Sequence, residues 1–167
     1  FPKILLIFKS LMLCLMIIKT QLGSSALADE RLKTDCHNTL EKARLWIRAT
    51  DFNAPEEEKT RVKSAINIAN QACRLAKESA PDDGEVLVNS AYALFAAEKK
   101  KEAVKLIQEA SEIGYPPAMV MMARYLGQGK YMEKDSEGAW LLLIKTLKTK
   151  HDVARIQAAL EFLPGGV

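Results

Sequence analysis

The chain has 167 residues, 49% of them hydrophobic and 27% charged, with 24 basic and 21 acidic side chains. That length suffices for one domain with a real core, and a net charge of +3 excludes the strongly basic balance that nucleic-acid binding through phosphates needs. The local run Lys99-Lys100-Lys101 is too short to alter this and reads as a solvated turn.

Residues 1–28 differ from the rest. Lys3 and Lys9 flank a short apolar piece, residues 11–18 (LMLCLMII) carry no charge, and SSALA places Ala26 and Ala28 as in an A-x-A cleavage site. Basic, then apolar, then small residues is the order of a secretory signal peptide. Lys9 and Lys19 keep the apolar stretch below the roughly 20 residues needed to span a bilayer. Left uncleaved, residues 4–18 would instead anchor the chain at an inner membrane. Cys14 is preceded by Leu-Met-Leu, not by the small residues that precede a lipidated cysteine. Cleavage removes Lys3, Lys9 and Lys19 and leaves 21 basic against 21 acidic residues. The expectation is a periplasmic or secreted bacterial protein, near neutral, without membrane contact after cleavage and without a nucleic-acid partner.

From Asp29 onward the periodicity predicts helices only. Residues 30–48 space Leu32, Cys36, Leu40, Ala43 and Ile47 three or four apart, the spacing of one helical face. Asn53 and Pro55 break the pattern. Glu56, Glu57 and Glu58 then suit a helix N-terminus, where acidic groups oppose the macrodipole. The second helix carries Val62, Ala65, Ile66, Ala69, Cys73 and Ala76, until Pro81 to Gly84 end it.

If these two helices fold back as an antiparallel hairpin, Cys36 and Cys73 lie equally far from a turn centred between residues 54 and 55. Facing positions of that kind can meet the Cα separation of about 5 to 6 Å that a disulfide requires, and an exported protein meets an oxidising compartment. Two buried thiols are the alternative. His37, next to Cys36, points about 100° away around the helix, against a Cys/His pair on one face.

The remainder repeats itself. EAVKLIQEASEIGYPPA (102–118) lies over GAWLLLIKTLKTKHDVA (138–154) at an offset of 36, pairing Ala103 with Ala139, Leu106 with Leu142, Ile107 with Leu143 and Ala118 with Ala154. The same offset continues through Val120 and Ile156, Ala123 and Ala159, Leu126 and Phe162, Gly129 and Gly165. A period of this size marks helical repeat arrays. Gly127-Gln128-Gly129-Lys130 is no phosphate loop: that motif needs G-x-x-x-x-G-K-[ST] after a buried strand, and here Tyr131 follows the lysine and AMVMMARYL precedes it. Both glycines are expected to let the chain reverse between two helices. Asp135 is placed to cap the next helix or to hold the turn.

These positions carry a family resemblance. EVLVNSAYALFAAEKKKEAVKLIQEASEIGYP resembles a tetratricopeptide repeat, with Leu87, Ala91, Leu94, Ala103, Ile107 and Ala110 at its packing positions. The next unit resembles a Sel1-like repeat through Ala118, Met122-Ala123, Leu126, Gly129, Met132, Asp135 and Ala139, with Ala123, Leu126 and Tyr131 replacing a glycine, a tyrosine and the second turn glycine of that pattern. The resemblance covers residues 84–167, whose last repeat is incomplete, and extends to residues 29–80 only as a divergent helical hairpin. It implies an all-α fold, a right-handed α-solenoid of antiparallel helix pairs after the signal-peptide helix.

Chemistry is harder to find. There is no H-E-x-x-H, C-x-x-C or G-x-S-x-G. His37 and His151 lie far apart, with His151 reading as a solvated or capping residue, and Glu133 and Asp135 sit in a lysine-rich turn. Of Met119, Met121 and Met122, helical spacing puts Met122 in the core; such a cluster can also form a pliant binding surface. No cofactor, metal or catalytic residue is expected. The resemblance implies instead a concave surface from the first helix of each repeat, binding a protein or peptide. In that register it holds Glu85, Val88, Tyr92 and Ala96, then Val120, Arg124 and Gln128, then Ile156 and Leu160, with Tyr92 and Arg124 of the types that most often anchor partners. The expected function is a non-catalytic scaffold or adaptor. An accessory module of an envelope enzyme and a secreted host-interacting effector are the alternatives. Leu160, Phe162 and Leu163 are expected to form an uncapped end, which residues 163–167 could cover, through which the chain could pair with another chain, or beyond which the natural protein could continue.

Overall fold

The computed structural model describes residues 2–51 and 53–161, with side chains from residue 26 onward. The side chains of the expected export segment up to residue 25, and residues 162–167 of the expected open end, lie outside the described residues. Among the described residues the chain is all-α: α1 (Pro2–Ala49), α2 (Glu56–Ser79), α3 (Gly84–Ala96), α4 (Lys100–Glu112), α5 (Pro116–Gln128), α6 (Ser136–Leu147) and α7 (Asp152–Glu161). None of these is long and apolar enough to cross a membrane.

The first turn of α2 carries Glu56, Glu57 and Glu58 directly after Pro55, as the sequence predicts. α1 and α2 run antiparallel. Ser79 donates its hydroxyl to Asp29 at one end, Leu40 and Ala69 share a buried cluster further along, and between them Cys36 and Cys73 form a disulfide with Cα atoms 4.4 Å apart. The hairpin centre therefore falls between residues 54 and 55. Ile47, expected on the buried face, is exposed together with Leu45 and Trp46, and no buried residue of α1 lies beyond Ala43.

The 36-residue offset is realised in the helices themselves. α4 and α6 begin at Lys100 and Ser136, and α5 and α7 begin at Pro116 and Asp152. Ala103, Ile107 and Ala118 are fully buried, and so are their equivalents Ala139, Leu143 and Ala154. Each helix packs on the next in the chain; in addition α1 touches α3, and α5 touches α7. Three apolar clusters result, one around the disulfide, one among α3, α4 and α5, and one among α5, α6 and α7.

The turns follow local chemistry. Asp83 caps α3 by accepting the N–H groups of Glu85 and Val86. Asp135 accepts the Gly138 N–H at 2.8 Å, and a Cβ at Gly138 would collide with that carboxylate. Of the two glycines expected to reverse the chain only Gly129 does so, capping α5 in the left-handed region at φ 64°. Gly127 stays inside α5 and is buried, because the helix runs one residue past it. The second left-handed residue of this turn is Tyr131, at φ 69°.

The disulfide closes a span of 37 residues, which by loop-closure entropy is worth about 4 kcal/mol. Replacing both cysteines by alanine is expected to lower the urea unfolding free energy by ~2–4 kcal/mol while leaving the helical circular-dichroism signal intact at room temperature. Unchanged stability would place the bond outside the native contacts that matter.

Candidate interaction surface

The odd-numbered helices bring their polar and aromatic side chains to one side. Tyr92 on α3 donates its hydroxyl to Met121 Sδ on α5 at 3.6 Å. The Arg44 guanidinium of α1 lies 4.3 Å from the Tyr92 ring centroid and is held there by Glu41 Oε1 at 2.6 Å. A cation over an aromatic face gains ~0.5–1 kcal/mol at a half-exposed site. Arg44, Tyr92 and Met121 thus form a strip across three helices, all of them neither buried nor fully exposed.

Beyond Tyr92 the strip continues into aromatics. Tyr131 packs edge-on against Tyr125 at 5.2 Å and tilted against Phe95 at 5.9 Å, with Lys130 Nζ 5.2 Å from its ring. A non-glycine residue in the left-handed region costs ~1–2 kcal/mol, and aromatic pairs return ~0.5–1.5 kcal/mol each, so the ring contacts hold the strained backbone in place. Burial, then the neighbouring Tyr131 and Tyr92, push the Tyr125 hydroxyl up to about 12.

At the other end of α3, Asp83 pairs with Lys33 of α1 at 2.6 Å. Partial burial opposes ionisation of Asp83, but the Lys33 ammonium and the N–H groups of Val86 and Glu85 outweigh it and hold the carboxyl below its ordinary 3.8. Beside this pair a recess of about 200 Å³ opens between α1 and α3, lined by Glu30, Lys33, His37, Glu85 and Asn89 among others. Among the described residues no group of three or more His, Cys, Asp and Glu could hold a metal ion.

The residues expected at a partner site separate. Glu85, Tyr92 and Ile156 are on or partly at the surface. Val88 and Val120 are core: Val88 packs with Ala103 and Leu106 of α4, and Val120 with Leu143 of α6 and Ala154 of α7. Arg124 is only half available, because its Nε donates to Glu161 Oε1 at 2.9 Å and its Nη2 to the same oxygen. It pins α7 to α5. Met121 is the cluster's surface methionine, while Met119 and Met122 are buried. His151 has a capping role, accepting the Ala154 N–H on Nδ1 at 3.2 Å.

Two features escaped the sequence pattern. Arg44 belongs to the strip, yet α1 carries no visible copy of the 36-residue repeat. A second groove, of about 590 Å³, lies between α2 and α4 with Leu94 of α3 and Ala97 just after it in its lining and Asn70, Arg74, Lys77 and Glu102 at its sides. Compared with family models, with curated proteins and with solved structures, the chain matches none.

The raised Tyr125 hydroxyl has a stability consequence. Its folded value lies above the unfolded 10.0, so the stability it contributes is complete below pH 10 and is lost as pH rises to about 12. Tyr115 is raised in the same direction, by burial and by Glu85 and Asp83. Urea midpoints followed across this alkaline window should fall steeply for the wild type and less steeply for Tyr125→Phe, which keeps the ring against Tyr131. Parallel curves for the two proteins would contradict this assignment.

Proposed function

We propose that this chain is an exported, non-catalytic scaffold of the bacterial envelope or extracellular space, built as a right-handed α-solenoid of tetratricopeptide- and Sel1-like helix pairs. A protein or peptide partner lies along the side lined by α1, α3, α5 and α7. The observation that carries this reading is the strip of Arg44, Tyr92 and Met121, in which three successive odd-numbered helices offer one cation, one tyrosine and one methionine at half exposure. Arg and Tyr dominate the energetics of protein interfaces, and methionine adapts to varied partners. The recess beside Glu85 and His37 gives the same side a polar second contact region.

Export is supported by two further facts. A disulfide persists in oxidising compartments and is rare in the cytosol. Among the residues whose side chains are described, Ala26, Leu27 and Ala28 are exposed and cross-helix bonds are made by Asp29 and Lys33, which is compatible with a leader ending at Ala28.

The test is affinity capture from an envelope extract, which needs no guess about substrate. The wild type should retain a discrete partner that Tyr92→Ala loses, with Arg44→Ala weakening retention by about tenfold or more, the scale of a hot-spot truncation. Both variants must keep their helical signal. Undiminished capture by Tyr92→Ala would remove this surface from consideration.

A further inference from the structure

The groove of about 590 Å³ between α2 and α4 is enclosed by helices from the middle of the chain, so its shape is set within the fold. Its floor is made by Ser90, Leu94 and Ala97, on and just after α3, with Cys73 and Leu106 at the foot of the two walls. Ser90, Cys73 and Leu106 are buried. The hydroxyl of Ser90 is already engaged with the Cys73 carbonyl, and the Cys73 sulfur is bonded to Cys36. The floor therefore offers an occupant apolar surface, and polar recognition falls to the walls.

The α2 wall has a pattern of its own. Asn67, Asn70, Gln71, Arg74 and Lys77 line it at steps of three and four residues, which is one face of a helix. From Asn67 to Lys77 this stripe runs ~15 Å at the rise of an α-helix, the length of about four or five residues of extended chain. Asn70 donates its Nδ2 to the Ile66 carbonyl of its own helix, which leaves the side-chain oxygen open. Among the described residues no hydrogen bond engages the Asn67 or Gln71 amide. A side-chain amide presents donors and an acceptor together. An extended main chain needs both along its edge, whereas a helix has satisfied its own N–H and C=O groups. The side chains of an extended segment also alternate, so every second one meets the apolar floor.

Charge selects among extended segments. Arg74 is paired with Glu78 at 2.9 Å. Lys99 and Glu102 on the far wall are opposite in sign and three residues apart, so they offset each other. Lys77 is half-buried and has no ion pair among the described residues. One end of the stripe thus carries a positive charge that nothing in the fold balances, and electrostatic complementarity calls for a carboxylate there.

We propose that this groove binds a short, extended, acidic segment of a partner protein, with a carboxylate at Lys77, its main chain along Asn67, Asn70 and Gln71, and apolar side chains at alternate positions over Leu94, Ala97 and Leu106. The disulfide beneath the stripe holds α2 in place before binding, which lowers the cost of association. The site is separate from the Arg44–Tyr92 strip, because Ser90 and Tyr92 point to opposite sides of α3, about 200° apart.

The probe is a phage-displayed library of short random peptides selected on the full chain. The enriched sequence is then synthesised with a fluorescein label and titrated by fluorescence anisotropy. The enriched family is expected to contain Asp or Glu beside alternating apolar residues, and Lys77→Glu should weaken its binding about tenfold or more. Exchanging the peptide's acidic residue for lysine should restore binding to the Lys77→Glu chain and remove it from the wild type, a reversal that a merely destabilised fold would not produce. Gln71→Ala, at an exposed position, should weaken binding without moving the melting temperature, and Tyr92→Ala should leave binding unchanged. Failure to enrich any sequence, an enriched family without a carboxylate, or a charge exchange without effect would overturn the proposal. So would binding abolished by Tyr92→Ala, since the peptide would then lie on the strip and the scaffold reading would stand without this groove.

Discussion

Close approach of neighbouring helices through alanine underlies everything else in this molecule. Ala43, Ala76, Ala91, Ala103, Ala110, Ala118, Ala123, Ala139, Ala154 and Ala158 are all fully buried, spread over every helix from α1 to α7. Small side chains at the contact bring helix axes to the near end of the usual 8–10 Å separation, and the larger residues Leu40, Leu87, Ile107, Met119 and Leu143 fill the gaps between them. The disulfide exists for the same reason: only where α1 and α2 approach closely can two Cα atoms come within 4.4 Å. At Gly84 the approach is closer still, since a Cβ there would run into the ring base of Tyr115.

Tight seams also dictate what happens to polar groups. Ser90 donates to the Cys73 carbonyl at 3.2 Å and Thr146 to the Leu142 carbonyl at 2.9 Å, so small hydroxyls can stand in for alanine without leaving a donor unpaired. Among the described residues no buried side-chain polar atom lacks a partner. Larger polar and aromatic side chains cannot enter such seams and are displaced to the rims, where Arg44, Tyr92, Tyr125 and Tyr131 gather. The strip proposed to meet a partner is thus a by-product of how the helices pack, with the strain at Tyr131 sustained by its ring contacts.

Much of this was legible in the residues. Helix positions, the 36-residue register, the facing cysteines and the Asp135 cap all depend on spacing within one or two elements, and spacing is what a sequence displays. Val88 and Val120 were misplaced because a helix in a stack is flanked on several sides, so an apolar residue on its open-looking face can still be closed over by the following pair. The pairing of Arg124 was invisible for a related reason: Glu161 lies 37 residues away, beyond any local pattern. Gly127 shows the reverse, a turn residue by composition that the helix simply absorbs. Arg44 was missed because α1 carries no visible copy of the repeat.

The account stands on equivalent positions differing only in whether a further layer covers them. Ala123→Leu and Ala159→Leu place the same side chain at the same point of the repeat, once beneath α6 and α7 and once on the open face. Urea unfolding should show Ala123→Leu destabilised by ~1–3 kcal/mol through overpacking, with Ala159→Leu within about 0.5 kcal/mol of the wild type, as for an exposed site. Equal losses at both positions, or none at Ala123, would mean that the helices are not layered on one another through these alanine seams.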